Sequence, residues 1–131
     1  MGNVASEIPN CQVILGDSMG EMFTYYAACD AALIGGSLMP LGGQNLIEAC
    51  AMGKPVLIGE HTFNFTDASE QAIRAGAAIR VNEKDLAEKI TLLMTDAAKQ
   101  TDMGKAGLVF SKKAAGATQR MLDLIRPYLK T

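Results

Sequence analysis

Histidine and cysteine are scarce in this sequence. It has 1 histidine and 3 cysteines, with no CxxC pair and no Cys/His cluster. An odd, scattered set of cysteines argues against a disulfide framework, and Cys29 and Cys50 fall in apolar helical stretches where a buried thiol is favoured. His61 has no second ligand or cysteine partner nearby in sequence, which argues against a metal site or a catalytic triad. We therefore expect a reduced, cytoplasmic protein that uses no metal and no cofactor.

Long apolar runs and an excess of one charge are also missing. No run approaches the ~18 residues that span a bilayer, and the first ten residues lack the apolar stretch of a signal peptide. The net charge of −2 creates no field that would attract nucleic acid or an anionic membrane. The 131 residues, 49% of them apolar, are enough for one domain with a core. We expect a single soluble domain over residues 1–131, with no nucleic-acid partner and no required membrane contact.

Strand-like and helix-like segments alternate along the chain. The strand candidates are residues 12–15, 31–35, 56–59 and 77–81. The helix candidates are residues 21–29, 45–52 and 69–75, one that begins at 82–85, and 97–129. Three glycines are expected to loosen the last helix and Pro127 to end it; the glycines are Gly104, Gly107 and Gly116. This alternation predicts an α/β fold, a Rossmann-like parallel sheet flanked by helices on both faces.

A glycine-rich segment follows the second predicted strand. Gly35, Gly36, Gly42 and Gly43 fall within nine residues and allow a close approach of the backbone to a ligand. Asn45 and Glu48 then lie in the first turn of a helix, beside N–H groups that favour an anion. In a parallel sheet this loop lies at the carboxyl edge, where ligands bind. The segment therefore predicts a nucleotide pocket with the phosphate over the loop N–H groups.

Each of these polar residues also has a purely structural interpretation. Ser18 and Glu21 match a capping box, although that leaves Gly20, a helix-weakening residue, unexplained. Asn45 can be a helix cap, and Glu48 can answer the helix dipole for about 0.3–1 kcal/mol. Alternatively, the Glu48 carboxylate suits the two hydroxyls of a ribose, and the Asn45 amide suits a sugar or phosphate oxygen. Both interpretations stay open on these residues alone.

The same motifs resemble a known family of transferases. They are residues 16–22 followed by Tyr25-Tyr26, then 35–38, 42–49, 53–59 and 61–65. Together they are similar to the C-terminal half of the 3-deoxy-D-manno-octulosonic acid (Kdo) transferases of lipopolysaccharide biosynthesis. The likeness covers nearly the whole chain and is densest over residues 13–65. The Glu-Ala-x-Ala-x-Gly-x-Pro-Val segment at 48–56 alone would indicate only the broader GT-B glycosyltransferase class.

This resemblance implies two Rossmann-like domains, of which one binds the donor and the other binds the acceptor. The C-terminal domain, here residues 1–131, would hold the donor CMP-Kdo. The N-terminal domain, expected to be absent from this chain, would hold the lipid A precursor that accepts Kdo and would supply the acidic base. The chain alone would then contain no catalytic residue and would be inactive. The parent protein would lie on the cytoplasmic face of the inner membrane.

The resemblance also implies which residues contact the CMP moiety. Glu48 would take the ribose hydroxyls, and the Gly42-Gly43 loop would lie near the phosphate. The contacts would come from two segments, Met19, Gly20, Glu21 and Asn45, Leu46, Ile47, Glu48.

Two alternative functions remain compatible with the sequence. One is another GT-B sugar-nucleotide enzyme, a UDP-sugar transferase or an epimerase. The other is a flavodoxin-like nucleotide-binding module with no chemistry. A receiver domain would need a pair of acids after the first strand, where Asp17 stands alone.

Overall fold

Three parallel strands form the sheet of the computed structural model, which describes residue 13, residues 15–16 and residues 20–129. The strands are β1 (Ala32–Leu33), β2 (Val56–Ile58) and β3 (Ala78–Arg80), in the order β1-β2-β3. Both pairs are parallel, with Leu33 opposite Leu57 and Leu57 opposite Ile79. The predicted parallel sheet is confirmed, although each strand is shorter than its apolar run. The strand predicted over residues 12–15 lies mostly outside the described residues.

Five α-helices accompany this sheet in the described part of the chain. They are α1 (Met22–Ala28), α2 (Ile47–Ala51), α3 (Thr66–Arg74), α4 (Leu86–Met94) and α5 (Ala97–Ile125). Short 3₁₀ turns precede α3 and follow α5, at Phe63–Phe65 and Arg126–Tyr128. The helix α3 begins three residues earlier than predicted because the first 3₁₀ turn runs directly into it. The helix α5 ends before Pro127, as predicted, because proline cannot continue the α-helical hydrogen bonds.

Helices cover both faces of the sheet, as predicted. All of β2 is buried, and its side chains alternate between two apolar clusters. Val56 and Ile58 join a cluster with Cys50 of α2 and Phe110 of α5. On the opposite face, Leu57 joins a cluster that contains Val81, Leu93 and Met103. The central strand therefore contributes side chains to both apolar clusters, one on each face of the sheet.

The glycines of α5 allow close packing against α2 and the turn that follows it. A Cβ atom added at Gly104 would overlap the carbonyl oxygen of Gly53, and one at Gly107 would lie 3.2 Å from the carbonyl oxygen of Cys50. The prediction that these two glycines loosen the helix is wrong. They are the positions at which backbone meets backbone, and α5 runs unbroken through them.

Within the described residues, no helix is both long enough and apolar enough to cross a membrane.

Candidate functional site

The loops that follow β1 and β2 are joined at the carboxyl edge of the sheet by Ser37. Its side chain is wholly buried. The Ser37 Oγ donates to the Ile34 carbonyl oxygen at 2.6 Å and accepts the Gly59 N–H at 2.9 Å. The His61 N–H donates to the Ser37 carbonyl oxygen at 2.9 Å. One residue therefore fixes the positions of two loops that are 22 residues apart in sequence.

The end of β3 is tied to the same edge by Arg80. Its Nη1 donates to the Gly59 carbonyl oxygen at 2.8 Å and to the Thr62 Oγ1 at 3.0 Å. The Lys89 ammonium donates to the Arg80 carbonyl oxygen at 2.8 Å, which links α4 to this strand end. Because Thr62 is itself buried, the guanidinium holds the start of the loop after β2 in one place.

A cavity of about 360 Å³ opens where these loops meet. Its lining residues come from the segments after all three strands and are Leu38, Glu60, His61, Asn82, Glu83 and Lys84. The wall after β3 is a rigid turn, in which the Asn82 Oδ1 accepts the N–H groups of Lys84 at 2.8 Å and Asp85 at 2.9 Å. In return the Asn82 N–H donates to the Asp85 carboxylate, and this bond, followed by the Lys89 ammonium, lowers the pKa of Asp85. The Asn82 bonds belong to the turn before α4, and the N-cap residue of that helix, Asp85, makes no side-chain capping bond.

The glycine-rich loop after β1 is closed on itself. Gly36, Gly42 and Gly43 have backbone φ angles of 72°, 92° and 79°, which residues other than glycine rarely adopt. The Gly43 N–H donates to the Gly36 carbonyl oxygen at 3.1 Å, and the Gln44 N–H donates to the Gly35 carbonyl oxygen at 3.0 Å. These two donors are occupied in this structure, so the expectation that a phosphate lies over the loop N–H groups is wrong for them.

The close approach permitted by these glycines is to the protein itself. A Cβ atom added at Gly42 would overlap the side chains of Phe63 and Asn64. The Asn64 N–H donates to the Gly42 carbonyl oxygen at 3.1 Å. The loop therefore packs against the segment between β2 and α3, and both Gly42 and Gly43 are buried.

The predicted binding residues at the start of α2 differ in what they can offer a ligand. The Asn45 Oδ1 accepts the N–H of Ile47, the first residue of α2, at 3.0 Å, and the amide Nδ2 can still donate. The N-cap position itself is Leu46, one residue after the predicted one. Leu46 is wholly buried and Ile47 packs partly against the core, so Leu46 could contact a ligand only through its backbone. Glu48 lies in the first turn and is half-buried. Its carboxylate has no hydrogen bond or ion pair to any residue that the structure describes.

The predicted binding residues at the start of α1 are described only in part. Met19 and Ser18 lie outside the described residues. The helix begins after Glu21, so Glu21 cannot be the third helical residue of a capping box. Gly20 precedes the helix with a φ of 77°, and this conformation explains the glycine without a ligand. Gly20 and Glu21 are both exposed.

Tyr26 brings the two predicted binding segments onto neighbouring helices. It lies on α1 and packs against the core cluster that contains Cys50 of α2. Burial raises the pKa of the Tyr26 phenol, and the charge of the Glu48 carboxylate raises it further. Tyr26 of α1 therefore lies near α2, the helix that carries Glu48.

Two residues of this edge, Ser37 and Arg80, were missed by the sequence reasoning. In the sequence, only their positions after β1 and at the end of β3 indicated that they belong to this edge. His61, which follows β2, lines the cavity at this edge. Among the described residues, no three His, Cys, Asp or Glu side chains are grouped so that they could hold a metal ion.

A comparison with known families identifies the class of protein that this fold and edge define. The family described as glycosyl transferases group 1 matches residues 6–109, and the chain belongs to that family. The relatives it resembles are Kdo transferases, which confirms the resemblance read from the motifs. It is 49% identical over 122 residues to the 3-deoxy-D-manno-octulosonic acid transferase of Bordetella pertussis, covering 92% of this chain and 28% of the relative. It is 40% identical over 129 residues to the enzyme of the same name from Haemophilus influenzae, covering 95% of this chain and 30% of the relative.

A solved structure supports the same relationship. The C-terminal CMP-Kdo binding domain of WaaA from Acinetobacter baumannii is 26% identical, with a TM-score of 0.60. The match covers 75% of this chain and 50% of that chain. The chain spans only 28% and 30% of the length of the two curated relatives named above.

Proposed function

We propose that this chain binds CMP-Kdo and is the donor half of an enzyme that transfers Kdo to a lipid A precursor. The observation that carries the proposal is the likeness, at a TM-score of 0.60, to a solved domain described as CMP-Kdo binding. The names of the two relatives at 49% and 40% identity point to the same reaction. The parallel sheet supports the proposal as well, because its carboxyl edge is where such folds bind nucleotides.

The start of α2 has the chemistry that a ribose requires. Glu48 has a carboxylate that makes no hydrogen bond or ion pair with any described residue, and a carboxylate can accept both hydroxyls of the 2′,3′-diol. Asn45 keeps an amide Nδ2 that can donate to a sugar or phosphate oxygen. Each charge-assisted hydrogen bond of this kind contributes about 1.5–3 kcal/mol. Leu46 and Ile47 would contribute backbone contacts, and Met19, Gly20 and Glu21 would contact CMP from the neighbouring helix.

The chemical step would require groups from the remainder of the enzyme. Transfer of Kdo to a hydroxyl needs a base that removes the hydroxyl proton, and we assign no such residue to this chain. The base and the lipid A precursor would belong to an N-terminal domain on the cytoplasmic face of the inner membrane. Closure of the two domains would exclude water and align the acceptor hydroxyl with the donor. The role proposed for this chain is to hold and orient the nucleotide.

Calorimetric titration of the chain with CMP, UMP and AMP tests the proposal. We expect CMP to bind most tightly and Glu48→Ala to weaken CMP binding by about tenfold or more, because at least one charge-assisted hydrogen bond is lost. Glu88→Ala is a matched control, since Glu88 is also an acid in the first turn of a helix but lies on α4.

Three results would contradict the proposal. The first is equal affinity for all three nucleotides, and the second is a Glu48→Ala variant that binds CMP as tightly as the parent chain. The third is a preference for UMP, which would instead favour an enzyme that uses a UDP-sugar.

A further inference from the structure

A second cavity lies between α3 and α5, with a volume of about 510 Å³. Three cationic side chains line it, Arg74 from α3 and Lys113 and Arg120 from α5. Gln71 and apolar side chains, among them Phe110 and Ala117, form the rest of its wall. No acidic residue of the described part of the chain lines it. We call this cavity the basic groove.

The three cations of the basic groove have no anionic partner among the residues that the structure describes. The ion pairs there join Lys89 to Asp85 and Arg126 to Asp123. Asp123 is three residues from Arg120, but its Oδ1 accepts from the Gln119 Nε2 at 3.0 Å and from the Arg126 Nη1 at 3.3 Å. The Arg120 guanidinium is left unpaired.

The Arg120 side chain extends along α5 towards the N-terminal end of that helix. Its Nη1 lies 3.5 Å from where a Cβ atom at Gly116 would be, one turn towards the N-terminus. Lys113 lies one turn before Gly116 on α5 and lines the same cavity. Cationic side chains that share one cavity repel each other, and a bound anion would relieve this repulsion.

The polar residues of the basic groove are not residues of the proposed donor site, although its wall residue Ala114 also borders a cavity that Ile47 lines. The helix α3 leaves the carboxyl end of β2 and returns the chain to the amino end of β3. Arg74 is the last residue of α3, so it lies towards the amino edge of the sheet. The donor residues Asn45 and Glu48 follow the carboxyl end of β1. An inference about the groove therefore does not depend on the proposed function.

We propose that the basic groove binds a phosphate group carried on an apolar body. Arginine guanidinium groups donate two parallel hydrogen bonds to a phosphate, and the lysine adds a compact positive charge. The apolar wall around Phe110 and Ala117 would contact the hydrocarbon part of the ligand. Anionic phospholipid headgroups and soluble phosphate esters share this chemistry.

Two binding measurements on the whole chain distinguish these sources. One is co-sedimentation with vesicles of phosphatidylglycerol mixed with phosphatidylcholine, with pure phosphatidylcholine vesicles as the uncharged reference. The other is calorimetric titration with glycerol 3-phosphate. We expect the chain to bind the phosphatidylglycerol vesicles, glycerol 3-phosphate or both. Added salt should weaken this binding because the cations are exposed.

Paired charge variants test the position of the site. Each basic residue near an anionic surface strengthens binding by about fivefold, so Lys113→Gln with Arg120→Gln should weaken it by about 25-fold. Lys99→Gln with Lys105→Gln removes the same net charge from α5 outside the groove and should change binding by less than about twofold. Thermal unfolding followed by circular dichroism checks that both double variants remain folded.

Two outcomes would overturn the proposal. One is the absence of binding in both arms by the folded parent chain. The other is an equal loss of affinity in the two double variants, which would show a diffuse effect of net charge instead of a site at the groove.

Discussion

At the scale of single residues, Ser37 determines how the carboxyl edge is held together. Its hydroxyl uses both its donor and its acceptor capacity inside the protein, towards Ile34 and Gly59. Gly59 is constrained by the same contact, because a Cβ atom there would overlap the Ser37 carbonyl oxygen. Nothing in the local sequence of Ser37 indicates this role, since its partner Gly59 is brought to it only by the pairing of β1 with β2.

Substitution of Ser37 by alanine should lower the free energy of unfolding by about 1–3 kcal/mol, because the buried Gly59 N–H loses its acceptor. Urea unfolding of the two proteins measures this difference. Ser111→Ala is a suitable control, because the Ser111 Oγ makes only an exposed bond within α5 and its loss should cost less than about 0.5 kcal/mol. Equal effects of the two substitutions would contradict the role given to Ser37.

The residues of the candidate site were located from sequence with mixed success. Glu48 lies in the first turn of α2, as expected, whereas Asn45 lies two residues before the helix and binds its first N–H. Glu21 was misjudged as the third residue of a helix, since α1 begins at Met22; Ser18 lies outside the described residues. Local spacing predicts the helix but not its first residue.

At the scale of elements, the packing of α5 on α2 organises one face of the sheet. The long helix approaches closely because Gly104 and Gly107 present no side chains to the backbone of Gly53 and Cys50. A helix of 29 residues was well predicted from its pattern. Its glycines were misread as weak points because their partner surface belongs to another helix.

Alanine at Gly104 and alanine at Gly116 should have opposite effects on stability. A Cβ at Gly104 would displace the Gly53 carbonyl and cost about 1–3 kcal/mol. Gly116 has only the flexible end of Arg120 nearby, at 3.5 Å, so Gly116→Ala should stabilise the helix by about 0.5–1 kcal/mol. Denaturant unfolding checks both signs, and a stabilised Gly104→Ala variant would disprove the close packing.

At the scale of the whole molecule, the side chains of β2 belong to two apolar clusters, one on each face of the sheet. The buried side chains of this strand face alternate sides, so α2 and Phe110 of α5 pack on one face, and α4 with Met103 of α5 packs on the other. Cys50 lies wholly inside the cluster that contains Phe110, and burial raises the pKa of its thiol from 9.0 to about 11. The folded state therefore holds this proton more tightly than the unfolded state does.

Stability should fall between pH 9 and about pH 11 for this reason. The contribution of Cys50 is fully present below the unfolded pKa and is lost as pH rises through the folded one, by about 2–3 kcal/mol in all. Urea unfolding at a series of pH values should show a shallower fall for Cys50→Ala than for the parent. Burial raises the pKa values of Tyr26 and Cys29 as well, and the charge of Cys50 adds to the raised pKa of Tyr26, so the difference between the slopes includes a smaller contribution from Tyr26. Identical slopes would contradict the assignment.

Local patterns were sufficient for the α/β class, the order of its elements and the segments that resemble Kdo transferases. Periodicity, caps and glycine or proline breaks act between residues a few positions apart, and they can be recognised before the chain folds. Folding decided which distant residues meet. It closed the glycine-rich loop on residues 63–65, joined Ser37 and Arg80 to Gly59, and brought Arg74 opposite Lys113 and Arg120. These contacts depend on strand pairing and helix packing, which no short stretch of sequence specifies.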